Sequence, residues 1–301
     1  MSRNNPRLGI ALMILTTIIF AAQDGVSRYL GEAYNVLTVV MIRYWFFALF
    51  VVALSASRSG GIARVARTRQ PALQIFRGVL LAAEICVTVL SFVLLGLIES
   101  HAIFAIYPLL VAALAGPVLG EYVGWRRGVA ILVGLIGVII ILRPGIRVFS
   151  PAAIVPLIGA LMFALYALLT RKVARLDSAE TSFFYTGVAG AAAITLVGMW
   201  FWTPIQGWRD WLWMAGLCAT GVVGHFLLIK CYEVAEAAVV QPFAYFQLVF
   251  VGIIGFLLFD ERPDGWTLAG AAVILGAGLY TLVRQARLRQ GRLREARVAE
   301  P

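Results

Sequence analysis

Residues 99–145 read ESHAIFAIYPLLVAALAGPVLGEYVGWRRGVAILVGLIGVIIILRPG, and the order of features in them recurs later in the chain. A short polar break (Glu99, Ser100, His101) leads into an apolar segment that carries Tyr107-Pro108 and stops at Gly120-Glu121. Gly124-Trp125 then opens a second apolar segment, closed by Leu142-Arg143-Pro144-Gly145. From Glu236 the pattern returns: an apolar segment with an early Pro242, a stop at Asp260-Glu261, then Gly265-Trp266 and a last apolar segment ending near Val283. Such internal duplication sets the fold before any single element does.

Working outward, the bulk composition agrees with repeated apolar spans. Of 301 residues, 61% are hydrophobic and 13% charged, and mean hydropathy is +0.90. A soluble domain carries about 25% charged residues, so this chain has too few to cover a water-facing surface. Its apolar runs have the roughly 20-residue length that crosses a bilayer core. Ten spans are expected: Leu8–Arg28, Val36–Leu54, Gly78–Leu97, Ala102–Leu119, Gly128–Leu142, Ile154–Thr170, Ser182–Trp202, Trp211–Tyr232, Ala237–Phe259 and Trp266–Val283. The expected fold is therefore an all-α polytopic membrane protein.

The net charge of +10 does not point to nucleic acid, because the arginines sit in loops and at the C-terminus. With both termini inside, the inner segments hold 19 of the 25 Lys and Arg, as the positive-inside rule requires. Both termini are thus expected in the cytoplasm, and the protein in the cell inner membrane. Cys86, Cys218 and Cys231 all fall within apolar segments without metal-ligand spacing, so they read as packing residues. No cofactor or metal is expected.

The duplication extends to other spans. Phe20 to Arg28 matches Phe163 to Arg171, with Ser27 opposite Thr170, and Tyr44 falls where Tyr185 does. Five spans per repeat is an odd number, so two halves (1–147 and 148–283, followed by a basic cytoplasmic tail, 284–301) must insert upside down relative to each other. Inverted repeats mark secondary transporters, whose site lies near the midplane between the halves.

These features resemble the EamA-type branch of the drug/metabolite transporter superfamily over about residues 8–283. The specific marks are Pro108 thirteen residues before Glu121, Pro242 nineteen before Glu261, and Arg43 in the second span. Within that branch the chain is most similar to ten-helix exporters of aromatic and other neutral amino acids. The resemblance implies a central cavity lined by spans 1, 3, 4, 6, 8 and 9. On those spans lie Phe20, Gln23, Phe104, Tyr107, Phe163, Tyr166, Gln241, Tyr245 and Gln247, a set that suits a small amphipathic ligand. Each aromatic taken alone reads equally as helix packing.

Glu84 and His225 stand on equivalent helices within their spans, where an ionisable group by default marks a substrate or proton path. A hydrogen-bonded structural pair is the alternative. Asp24 and Arg43 are expected to neutralise one another as a structural charge pair, with an outer-gate role second. Pro108 and Pro242 read as gating kinks or as helix starts. Glu121 and Glu261 are expected to cap the next helix or to pair with a nearby Arg126 or Arg262. Glycines 128, 134, 137, 270, 276 and 278 have spacing for close helix packing.

No Gly-x-x-x-x-Gly-Lys-Ser/Thr loop is present for ATP, and no nucleophile–base pair or acidic metal cluster supports an intramembrane enzyme. The expected function is alternating-access export of small metabolites by a functional monomer, with a small-molecule substrate and membrane lipids as partners. A channel, and another substrate with proton coupling, are the alternatives.

Overall fold

The structure is a computed structural model, and it describes residues 5–120, 125–142, 151–174, 176–235, 240 and 243–298. All regular elements among these are helical. In order they are α1 (Pro6–Ala33), α2 (Val36–Ala56), α3 (Gly61–Val65), α4 (Pro71–Leu95), α5 (Leu97–Phe104), α6 (Tyr107–Leu119), α7 (Trp125–Leu142), α8 (Ile154–Val173), α9 (Ala179–Gly198), α10 (Trp208–Val234), α11 (Phe246–Phe259) and α12 (Gly265–Val298), with short 3-10 turns at Pro151–Ala153 and Met199–Phe201.

Helix starts follow local chemistry. The Asn5 side chain accepts from the Leu8 amide, Asn35 from Leu37, and Ser178 from Thr181, satisfying amides that a helix leaves open. Pro6 and Pro71 occupy first turns, where the missing N–H costs nothing.

Among the described residues six helices are long and apolar enough to cross a membrane, or seven if a bent pair counts as one span. Three more apolar helices are shorter. The fourth expected span is the bent one, with a 45° bend between Leu97–Val111 and Ala113–Leu119. Pro117 lies inside α6. It removes the amide that would bond the Ala113 carbonyl and crowds that turn, which bends a helix there. Pro108 instead occupies the first turn of α6, so it starts a helix and kinks none. Pro242 lies outside the described residues, as does Gln241. The last helix, α12, runs unbroken from Gly265 through the basic segment to Val298.

The helices pair in a regular way. α1 packs on α10 as α8 packs on α4, α1 on α11 as α8 on α6, and α2 on α10 as α9 on α4. Two further pairings, α2 with α9 and α7 with α12, complete the eight most extensive ones. These eight are unchanged as a set when the first-half helices are exchanged for their second-half counterparts. Small residues permit the closest approaches. A Cβ on Gly137 would sit 2.8 Å from the Gly270 carbonyl oxygen, and one on Gly270 2.5 Å from that of Gly137, so the α7 and α12 backbones touch. Gly128 and Gly276 face open space.

Outward faces carry exposed Leu132, Ile136, Leu196 and Leu257, suited to lipid. Trp200, Trp208, Trp211 and Trp213 are exposed around the α9–α10 turn, where interfacial tryptophans anchor.

Glu261 departs from its expected role. Its two carboxylate oxygens accept from the Leu97 and Ile98 amides, both at 2.7 Å, and it forms an ion pair with Arg28. It therefore caps α5, not the helix that follows it, while Arg262 faces Asp260 at 3.5 Å. Gly96, at φ 86°, gives the carboxylate room, since a Cβ there would lie 2.6 Å from Glu261 Oε1. Replacing Glu261 by Ala strands two buried amides and leaves Arg28 with Glu32 as its remaining partner. The expected loss is about 3–5 kcal/mol, read as lowered thermal stability in detergent, whereas Arg262→Ala leaves stability within about 0.5 kcal/mol.

Candidate functional site

A cavity of about 90 Å³ lies where α1, α2, α4, α5, α6, α8, α10 and α11 converge. Phe20, Phe104, Tyr107 and Phe163 form its aromatic wall. Phe104 and Phe163 have ring centroids 5.7 Å apart, and Tyr107 meets Phe163 edge-on at 5.0 Å, the tilted arrangements that aromatic rings favour. Phe20 and Phe163, aligned by the sequence duplication, both reach this wall from opposite halves. Gly224 on α10 makes room for the Phe20 ring, which a Cβ there would meet at 2.5 Å.

The polar groups are Gln23, Asp24, Arg43, Glu84, His101, His225 and Gln247, with threonines 16, 17 and 88. Glu84 accepts from the Thr88 hydroxyl at 2.7 Å. His225 stands between rings, 5.2 Å from Phe20 and stacked at 6.2 Å on Phe47. The two sequence-selected ionisable groups thus border one cavity. The Gln23 Oε1 atom is buried with no partner among the described residues.

Asp24 and Arg43 do not pair. Asp24 Oδ2 accepts from Gln247 Nε2 at 2.9 Å and lies 3.1 Å from His101 Nε2. The other imidazole nitrogen, Nδ1, is 3.0 Å from the Leu97 carbonyl oxygen, which can only accept, so Nδ1 carries hydrogen. One further proton must lie between Nε2 and the carboxyl, on one or the other. His101 also stacks on Phe92 at 4.9 Å, which holds the ring in place. The charge pair expected with Arg43 fails because α5 brings a closer partner to Asp24.

His101 was hidden in the sequence inside what reads as a polar break between spans. The helix actually begins at Leu97, and that places His101 one turn inside it. Its helical spacing to Leu97 was the available signal.

Two expected lining residues sit elsewhere. Tyr166 is held by Arg77, whose Nη1 donates to its hydroxyl at 3.2 Å and whose guanidinium lies 5.3 Å from its ring centroid. Arg77 itself is fully buried and also donates to Gln74, Thr170 and the Ser182 carbonyl, so its hydrogen-bond donors are met within the protein. Tyr245 packs against a separate buried cluster, with its ring lying against Gly278 of α12, and does not line the cavity.

A cavity with an aromatic wall and convergent polar groups between membrane-crossing helices suits a membrane carrier for small molecules. The chain belongs to the EamA-like transporter family, whose profile matches it twice, over residues 7–143 and 150–283. It is 24% identical over 280 residues to the S-adenosylmethionine uptake transporter of Rickettsia prowazekii, covering 93% of this chain and 94% of that one. It is 28% identical over 278 residues to the riboflavin transporter of Vibrio cholerae (91% and 92%), and 24% identical over 271 residues to the pseudopaline exporter CntI of Pseudomonas aeruginosa (89% and 94%). A solved crystal structure superposes with a TM-score of 0.63 at 19% identity, covering 95% of this chain and 99% of that one, a likeness in fold.

The geometry separates two tyrosine-region substitutions. Tyr166→Phe removes one acceptor from Arg77 and is expected to cost about 1 kcal/mol of stability while leaving the transport KM unchanged. Phe104→Ala opens the cavity wall and is expected to raise KM by about tenfold, the loss of one aromatic contact. Unfolding in detergent and initial-rate uptake measure the two effects.

Proposed function

We propose that this protein is an inner-membrane secondary transporter that moves a small metabolite with an aromatic or heterocyclic body by alternating access, its two halves inverted relative to each other. The cavity carries the reading: its aromatic wall is built from both halves, and its polar groups converge on one space. The exchange-invariant helix pairings and the double family match support the repeat. The charge distribution supports cytoplasmic termini.

The relatives favour a wider substrate class than aromatic and neutral amino acids. S-adenosylmethionine and riboflavin each carry a planar heterocycle, and the first also carries an amino-acid head. Amino acids, including tryptophan and phenylalanine, remain one arm of that class. Direction is set by gradients in such carriers, and the relatives include both uptake and export proteins.

The test is uptake into proteoliposomes of a labelled panel: S-adenosylmethionine, riboflavin, tryptophan and phenylalanine. Saturable uptake with trans-stimulation is expected for at least one member, with Glu84→Gln lowering it at least about tenfold. Thr88 keeps an acceptor in that variant, so folding is retained. Linear, non-saturating flux would replace the carrier by a channel, and no flux of any member would sink this substrate class.

A proton-coupled form of the same reading rests on Asp24 and His101, which share one proton at the cavity edge. In that form an imposed pH gradient drives uptake in the wild type. Asp24→Asn abolishes the drive while leaving counterflow at equal pH. Equal drive in both proteins would remove coupling from this pair.

A further inference from the structure

Of the buried charges in the membrane-crossing helices, Arg43 on α2 stands apart. Arg77 is saturated by hydrogen bonds, Arg28 pairs with Glu261, and Asp24 is taken by His101 and Gln247. Arg43 is 5% exposed and lines the cavity, yet it has no hydrogen bond or ion pair with any described residue. A guanidinium held in a low-dielectric site without a partner costs several kcal/mol. Its seat is nonetheless built for it: a Cβ on Gly221 of α10 would come within 2.9 Å of Arg43 Nε, so glycine there lets the side chain lie flat on the helix.

We infer that Arg43 is the receptor for a carboxylate on the transported ligand, so that the substrate is a monocarboxylate whose planar body lies against Phe20, Phe104 and Phe163. This rests on the cavity's being the transport site. A guanidinium offers parallel donors in the spacing of two carboxylate oxygens, which makes the contact both strong and directional. The carboxyl groups of Asp24 and Glu84 on the same wall disfavour a dianion such as a phosphate monoester. Asp24 and Glu84 lie within electrostatic reach of Arg43 but make no direct contact with it. Bound substrate supplies that direct contact, which the described residues do not.

The experiment titrates nanodisc-embedded protein with matched pairs: L-tryptophan against L-tryptophanamide, and S-adenosylmethionine against its decarboxylated form, with riboflavin as a carboxylate-free probe. In the wild type the acid of at least one pair is expected to bind about ten- to a hundredfold tighter than its partner, the range of a charge-assisted hydrogen bond. Arg43→Gln is expected to bring the acid down to its partner's affinity, and Arg43→Lys to retain part of the difference. Equal binding within both pairs in the wild type overturns the inference without any variant, so misfolding of Arg43→Gln does not shelter it. Tight riboflavin binding with saturable riboflavin uptake, neither changed by Arg43→Gln, also overturns it while leaving the transporter reading intact. Absence of both binding and uptake across the panel defeats the two together.

Discussion

Within a bilayer core a polar group finds partners only in the protein, and the arrangement of this molecule follows from that constraint. Each buried charge away from the cavity has been given partners. Arg77 holds four neighbours across α4, α8 and α9. Glu261 closes the open amides of α5 and meets Arg28. Outside the spans the same economy continues at the loops. Asp177 ties Thr68, Gln74 and the Arg69 amide to the α8–α9 turn, and Asp210 accepts from Tyr29 and Tyr34. Among the described residues that line the cavity, Gln23 Oε1 and the Arg43 guanidinium remain without a hydrogen-bond partner. A binding site is where such a molecule keeps its polar capacity in reserve.

Much of this was legible in the sequence because lipid imposes length and polarity on a helix directly. The long apolar runs became long helices, and the paired glycines of the last span in each half became the α7–α12 contact. Phe20, Gln23, Glu84, Phe104, Tyr107, Phe163, His225 and Gln247 were found from their spans and all reach the cavity. What hydropathy could not give was the facing of each side chain. Tyr166 lies one helical turn from Phe163 yet turns to Arg77, a partner whose position depends on how α4 packs. Tyr245 is drawn off by Gly278, a tertiary approach that no local pattern encodes.

The pairing of the charges depends on tertiary structure for a related reason. Sequence places Asp24 and Arg43 at similar depths on neighbouring spans, and simple neutralisation is the natural reading. The break at Gly96 lets a second helix start within the membrane-facing part of the chain, bringing His101 to Asp24. Pro117 bends its helix where Pro108 does not, because proline bends a helix from the interior and is accommodated in the first turn.

The Glu261 cap has a mechanical side. It joins the end of α11, in the second half of the chain, to the first turn of α5, in the first half. Separating those two ends would uncover two amides, a carboxylate and the Arg28 guanidinium at once. That corner is therefore a fastening between two distant parts of the chain, and a costly one to pull apart.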